Sequence, residues 1–452
     1  MKTTKNLTDG NISKNLLIFA IPLILSSMLS QAYSTVDAII AGKFISEHAL
    51  GAISATSSYD ILFTALITGF AGGFAIYTAQ LFGKGDFSNI KRDVIGMSVF
   101  VALLAVSFSA LSLIFREQIM DFLNIDPILR EDAEIYFTVY TLGFVIFYAN
   151  QLFVAVLHSL GITSFSLYVT LMSAVLNIVG NLVAVLVLDM GVAGLALSTI
   201  LASLAASVVY IVMLHRAYRD MPGECGSLVP SFACVKSSLR YTVPYAIQNL
   251  SFHGVTFIIA PTINALGAAA TTGYSIANRL YALGTISLWA YTSAFGCYTG
   301  QCVGRKDTAK IRLGVKVGFG MNCAIVLPFV LTIVFLAEEI VSLFFPDTHS
   351  GEAFAYAVRY ATVFFPFIYL HLIGHFLHTY MRSLGRASVV LWITLIGSVT
   401  RIAATLLLVP VLSLDGAFIG QILSWGIDAV ICIAIYAACY RTDRQLALVI
   451  AK

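Results

Sequence analysis

"LLIFAIPLILSSMLSQAYSTVDAIIAGKF", residues 16–44, decides how the rest of this chain is read. From Leu16 to Ile40 the run is apolar and about 25 residues long, enough for a helix to cross a hydrocarbon core about 30 Å thick. Yet it holds a carboxylate, Asp37, well before the charged Lys43. An ionised side chain in a membrane helix costs roughly 2.5–3.5 kcal/mol on insertion scales and by default marks function.

The composition extends this reading to the whole chain. Of its 452 residues, 59% are hydrophobic and 11% charged, against about 25% charged in soluble domains. Its solvent is therefore mostly lipid. Further apolar runs fall at 50–72, 94–115, 135–157, 165–188, 192–214, 241–263, 273–300, 313–336, 356–379, 387–410 and 416–439. Lipid admits only helices and closed barrels, and these runs are too long for barrel strands. The predicted fold is an all-α integral membrane protein with twelve transmembrane helices. The polar start "MKTTKNLTDGNISKN" and the length of the first run predict no cleavable signal.

Charge sorts by topology. With a cytoplasmic N-terminus, 20 of the 26 Lys and Arg fall on the inner side, the bias that orients membrane proteins. The expectation is a multi-pass protein of the inner (cytoplasmic) cell membrane with both termini cytoplasmic. A net charge of +3 with no basic patch predicts no nucleic-acid partner. The seven cysteines form no CxxC and no metal-type cluster with histidine, so they read as small packing residues and no metal is predicted.

The two halves answer each other at an offset of 221–224 residues. "FAIPLILSSMLSQ" matches "YTVPYAIQNLSFH", setting Pro22 opposite Pro244. "AQLFGKGD" matches "GQCVGRKD", "HSLG" (158–161) matches "RSLG" (382–385), and Gly194 matches Gly416. Six spans per repeat is an even number, so the halves insert in the same orientation as a parallel repeat. The predicted organisation is an N-terminal lobe (1–214), a cytoplasmic linker (215–238) and a C-terminal lobe (239–452). Two six-helix lobes with a cleft between them suit an alternating-access carrier.

Polar residues inside the spans are the candidate site. Asp37 is the group that can take up and release a proton or sodium ion. Tyr33, four residues earlier, shares its helix face, and Gln31 lies at a less favourable angle. Asn177 and Asn181 in the fifth span sit one turn apart, at a depth similar to Asp37; they serve either as ion ligands or as helix–helix glue. The seventh span offers Gln248, Asn249 and His253. In the tenth, His371, His375 and His378 share one face; a metal site is conceivable, but with no carboxylate or cysteine at suitable spacing the face reads as a hydrated cavity wall, pH sensing being the alternative. Asp60 and Asp428 are isolated acids that line a cavity or pair structurally, with Arg279 and Arg401 as candidate partners. The 31 Phe and 21 Tyr suit cavity walls for flat cations as well as interfacial belts. No GxSxG, P-loop or HExxH occurs, so an enzyme is not expected and transport draws on an ion gradient.

At this point the chain resembles the multidrug and toxic compound extrusion (MATE) family over nearly its whole length. The likeness is carried by "LTDGNISKNLLIFAIPLIL", "QAYSTVDAIIAGKF", "AQLFGKGD" with its echo "GQCVGRKD", and the "SLG" turns. The resemblance implies a secondary active antiporter exporting organic cations and drugs in exchange for H⁺ or Na⁺ by alternating access, with no other cofactor, working as a monomer in the bilayer. Asp37 stands where the family binds its coupling ion, and Pro22 matches a proline associated with bending of the first helix. Many members carry Asn and, four residues on, Asp in the fifth span; here the pair is Asn177 and Asn181. The NorM-like branch adds a glutamate in the seventh span and an aspartate in the tenth. Neither is present, the nearby residues being Phe252, His253 and His371, so the chain resembles the DinF-like branch more closely. The alternative within transport is a flippase or exporter of a lipid-linked or amphipathic substrate.

Overall fold

In a computed structural model of the protein, residues 6–123, 125–222, 232–344 and 351–450 are described, and they contain helices but no strand. The first half runs through α1 (Ile12–Ile40), α2 (Glu47–Lys84), α3 (Phe87–Ile114), α4 (Arg116–Phe122), α5 (Arg130–Leu142), α6 (Phe144–Ser159), α7 (Ser164–Leu186) and α8 (Gly191–Asp220). The second runs through α9 (Phe232–Asn264), α10 (Ala268–Gly304), α11 (Thr308–Phe335), α12 (Ala337–Ser342), α13 (Glu352–Arg359), α14 (Ile368–Ser383), α15 (Ala387–Leu412), α16 (Leu414–Cys439) and α17 (Asp443–Ile450).

Nine of the helical stretches among the described residues are long and apolar enough to cross a membrane, and α5 with α6, bent by 47°, makes a tenth. The sequence predicts two more spans, and they correspond to α9 and α10, at 33 and 37 residues the long helices of the second half. For α10 the lower hydropathy has a physical cause. α10 is buried along most of its length, including Gly273, Gly284, Thr285, Ser287 and Thr292. At Gly284 a Cβ would collide with the Phe365 ring. A helix enclosed by its neighbours needs small and hydroxyl residues for close approach, not the apolar side chains that face lipid.

The echoed motifs of the two halves turn out to be helix terminators and starters. Gly85 closes α2 with φ +76°, its N–H meeting Phe82 O at 3.1 Å, while Asp86 N–H meets Leu81 O at 3.0 Å. Lys306 and Asp307 repeat the pattern after α10, Lys306 taking φ +57°. Asp86 then accepts from Asn89 N–H (3.3 Å) and Asp307 from Lys310 N–H (3.0 Å), each capping the next helix. In the "SLG" turns, Gly161 and Gly385 end α6 and α14 at φ +83° and +78°, the left-handed cap that glycine adopts without strain.

The described chain divides into two compact units. One holds Ile21–Thr242, the other Leu7–Ala20 with Val243–Lys452. The chain passes between units inside α1, beside Pro22, and inside α9, beside Pro244, where each proline removes a helical N–H. In the second unit the N-terminal segment docks on the end of α10. Leu7 N–H donates to Gln301 Oε1 (2.9 Å), and Arg305 donates to Thr8 Oγ1 (2.6 Å) and Asp9 Oδ1 (2.9 Å). In the first unit the start of α9 is held in the same style, Tyr241 donating to Gln80 Oε1 at 3.0 Å. Gln80 and Gln301 are repeat partners. Of the linker predicted at 215–238, residues up to Asp220 continue α8 and those from Phe232 begin α9, while 223–231 lie outside the described residues.

Candidate functional site

In the first unit, three helices bring polar side chains to one point. Thr199 on α8 donates to its own helix at Leu195 O (3.0 Å), which leaves its oxygen to accept from Asn177 Nδ2 (3.1 Å) on α7. Asn177 Oδ1 in turn faces Asn181 Nδ2 at 3.4 Å, and the same Nδ2 donates to Asp37 Oδ1 at 2.6 Å. The backbone carbonyl thus sets the orientation of every amide in the chain, and the last donor is aimed at the carboxylate. Both asparagines are buried. The arrangement leaves one atom over: Asn181 Oδ1 is buried with no hydrogen-bond partner. An orphaned acceptor beside a carboxylate, in a place where unpaired polar atoms are costly, makes this point the candidate site of the first unit.

Tyr33 is half-buried on the same helix and within electrostatic reach of Asp37. Gln31 is not drawn in; it is exposed, and only its backbone carbonyl is engaged, by Thr35. Asp60 on α2 joins the cluster through tyrosines that sequence reading passed over. Tyr136 and Tyr140 on α5 lie within electrostatic reach of both Asp37 and Asp60, and their rings stack at 5.4 Å. Their signal was present as an i, i+4 tyrosine pair, submerged in a chain with many tyrosines. Thr199, also missed, carries no sequence signal, since hydroxyls on membrane helices more often bond their own backbone.

The second unit arranges its polar residues differently. The three imidazoles of α14 do not act as one wall. His371 Nε2 meets Tyr281 OH (3.2 Å), His375 Nδ1 meets Thr292 Oγ1 (3.1 Å), and His378 Nδ1 meets Gln248 Nε2 (3.3 Å). Sequence spacing predicts no acid or thiol beside them, and the structure corrects this. Asp428 lies 3.0 Å from His378 Nε2, and Cys432, one turn further along α16, shares that corner. Gly374 makes room for the carboxylate, since a Cβ there would strike Asp428 Oδ2. Asp428 therefore pairs with His378 and not with either predicted arginine. Arg279 is exposed over the Phe344 ring, and Arg401 contacts Tyr274.

The three donor atoms of His378, Asp428 and Cys432 lie within 4.8 Å of one another, a spacing that could hold a metal. The hydrogen bonds around them fix the tautomer of the imidazole. Arg382 Nη1 donates to Gln248 Oε1 at 2.8 Å, so Gln248 presents its NH₂ to His378 Nδ1. That nitrogen must then accept, and Nε2, the atom facing Asp428, carries the hydrogen. Arg382 itself is buried, donates to Thr379 Oγ1 (2.7 Å) and lies 4.0 Å from the Tyr245 ring centroid. Asn249 and His253 are half-buried on α9; His253 packs edge-on against Phe252.

Comparison with known proteins agrees with this architecture. The MatE family model matches residues 22–183 and again 244–407, once in each repeat, with the matches beginning at Pro22 and Pro244. A probable multidrug resistance protein of Bacillus subtilis (strain 168), YpnP, is 22% identical over 414 residues, 92% of this chain and 91% of that one. The multidrug export protein MepA of Staphylococcus haemolyticus (strain JCSC1435) is 22% identical over 355 residues, 75% of each chain. Among solved structures, an outward-facing multidrug resistance MATE family transporter of the MOP superfamily superposes with a TM-score of 0.89 at 19% identity, covering 100% of both chains. With both repeats matched by one model and the helical fold shared end to end, the chain belongs to the MatE family, and is a multi-pass membrane transporter and not an enzyme.

Proposed function

We propose that this chain is a secondary active antiporter of the cell membrane that exports organic cations and drugs in exchange for H⁺ or Na⁺, with Asp37 as the coupling group. The observation that carries the reading is the aimed hydrogen bond from Asn181 to Asp37 beside the orphaned Asn181 Oδ1. The multidrug export named for MepA and the probable multidrug resistance named for YpnP support the substrate class. The inward-facing basic bias of the loops supports cytoplasmic termini.

Coupling follows from charge alone. An ionised Asp37 attracts an organic cation, and Tyr136 and Tyr140, within electrostatic reach of both Asp37 and Asp60, offer ring faces for it. A proton or sodium ion on Asp37 cancels that attraction. Ion and substrate therefore compete for one negative charge, which makes their affinities reciprocally linked, and exchange needs no direct contact between them. The lack of an acid at His253 or His371 favours the DinF-like branch over the NorM-like one, with a reduced site, since Asn181 stands where many members carry an aspartate.

The test is efflux of ethidium from inverted vesicles under a pH gradient alone and a sodium gradient alone, with wild type set against Asp37→Asn. Wild type should respond to one gradient and the variant to neither. Normal transport by Asp37→Asn under both gradients would remove Asp37 from the mechanism, and no efflux by wild type under either would remove the substrate class.

A further inference from the structure

The close contacts between paired helices fix which residues of the two units correspond. Gly194 on α8 lies against Ala184 of α7, and Gly416 on α16 lies against Leu408 of α15. Gly180 faces Ser198, and in the other unit Gly420 faces Ala404 and Thr405. Both pairs give the same alignment, an offset of 224 residues on α7/α15 and 222 on α8/α16. On that register Asn177 corresponds to Arg401 and Asn181 to Thr405. The offset of 222 between Pro22 and Pro244 sets Asp37 against Ile259, and that of 221 between Gln80 and Gln301 sets Asp60 against Tyr281. The acids of the first unit have become an isoleucine and a tyrosine, and an asparagine has become an arginine.

Arg401 is 8% exposed, forms no ion pair among the described residues, and makes one hydrogen bond, from Nη2 to Tyr274 OH at 3.2 Å. Its Nε is buried without a partner. One turn along the same helix face, Thr405 is fully buried and its Oγ1 is also unpartnered. The hydroxyls of Thr285 and Thr292 in α10, by contrast, bond the carbonyl four residues back. Tyr281 and Tyr360 lie within electrostatic reach of the guanidinium, as does His371. The acid nearest in the network, Asp428, is taken by His378. The cluster is rich in donors and short of acceptors, and a buried guanidinium without a counter-charge is strongly unfavourable.

We propose that Arg401 and Tyr274 form an anion site in the second unit, taking the carboxylate or phosphate of a small solute. The planar fork of arginine matches such oxyanions with two parallel N–H donors. Tyr274, having accepted from Arg401, keeps its own O–H to donate. This goes beyond the cation-export reading and does not depend on Asp37.

The experiment is thermal unfolding of the purified full chain in detergent, titrated with sodium benzoate or sodium phosphate at constant ionic strength set with sodium chloride. A ligand of the folded state raises the midpoint saturably. Wild type and Asp37→Asn should show the same saturable rise, and Arg401→Met should show none. Should Arg401→Met fail to fold, Arg401→Lys and Tyr274→Phe decide: each should need at least tenfold more anion for half the effect. A rise that does not saturate, or one unchanged in the Arg401 and Tyr274 variants, means an adventitious ion only and overturns the proposal. A parallel arm compares nanodiscs of phosphatidylglycerol and phosphatidylcholine. An Arg401-dependent stabilisation confined to phosphatidylglycerol assigns the site to a lipid headgroup, and one seen with benzoate or phosphate in detergent assigns it to a solute.

Discussion

The first unit gathers Asp37 and Asp60 with amides and phenols; the second gathers Arg401 and Arg382 with imidazoles and phenols, its one central acid held by His378. Yet the helix ends, the caps and the glycine contacts of the two are alike. The repeat therefore preserves what sets backbone geometry and is free to exchange what sets charge. A scaffold contact such as Gly194 against Ala184 is fixed by volume, which both units need. A charged side chain only has to be compatible with its own unit's chemistry.

The comparison can be broken most severely at Asp37. Asp37→Asn should lower gradient-driven ethidium efflux at least a hundredfold, to the level of empty vesicles. If the units were chemically interchangeable, adding Ile259→Asp would restore it. We expect no rescue, and a loss of about 3 kcal/mol in stability in a thermal unfolding series, because Ile259 is fully buried in apolar surroundings. Next in size is Asn181→Ala, which removes a hydrogen bond to a charged group, worth about 1.5–3 kcal/mol. The ion concentration for half-maximal efflux should shift roughly 10- to 100-fold, at one pK unit per 1.36 kcal/mol or so: downward for H⁺, because the lost donor favoured the ionised carboxylate, and upward for Na⁺, which loses the Asn181 oxygen.

Smaller effects sharpen the shared half of the comparison. Gly194→Val and Gly416→Val each force a branched side chain against a neighbouring helix and should each destabilise by about 1–3 kcal/mol. Similar losses would support the common scaffold; a neutral Gly416→Val would refute the matching of the two hairpins. Gly161→Ala and Gly385→Ala, at positive φ, should cost about 1 kcal/mol each, read as small equal drops in the unfolding midpoint.

Much of this was legible in the sequence because lipid leaves few solutions for the backbone. Run length gave the helices, and the echoes at Pro22, Gln80 and "SLG" gave the repeat. Asp37 was visible because a carboxylate in an apolar run has no cheap structural excuse. α10 shows the limit of hydropathy: a helix walled in by protein loses the apolar pattern that lipid imposes. The partner of Asp428 was hidden for another reason. Its neighbour His378 lies 50 residues away on another helix, and spacing within one helix carries nothing about which helix packs across from it. Thr199 was hidden because a hydroxyl that bonds its own backbone can still accept from Asn177, a double use that no single-sequence pattern announces.

The docking of Leu7 on Gln301 has a consequence for how the chain is made. The two residues are 294 apart, and at ribosomal speeds of about 5–20 residues per second the acceptor emerges roughly 15–60 s after the donor. Through that interval the segment from Leu7 to Ala20 has no native surface to bind, although the rest of α1 is already in the membrane. Docking of this segment therefore waits until the chain has reached Gln301, and the second unit closes on residues made well before its own helices.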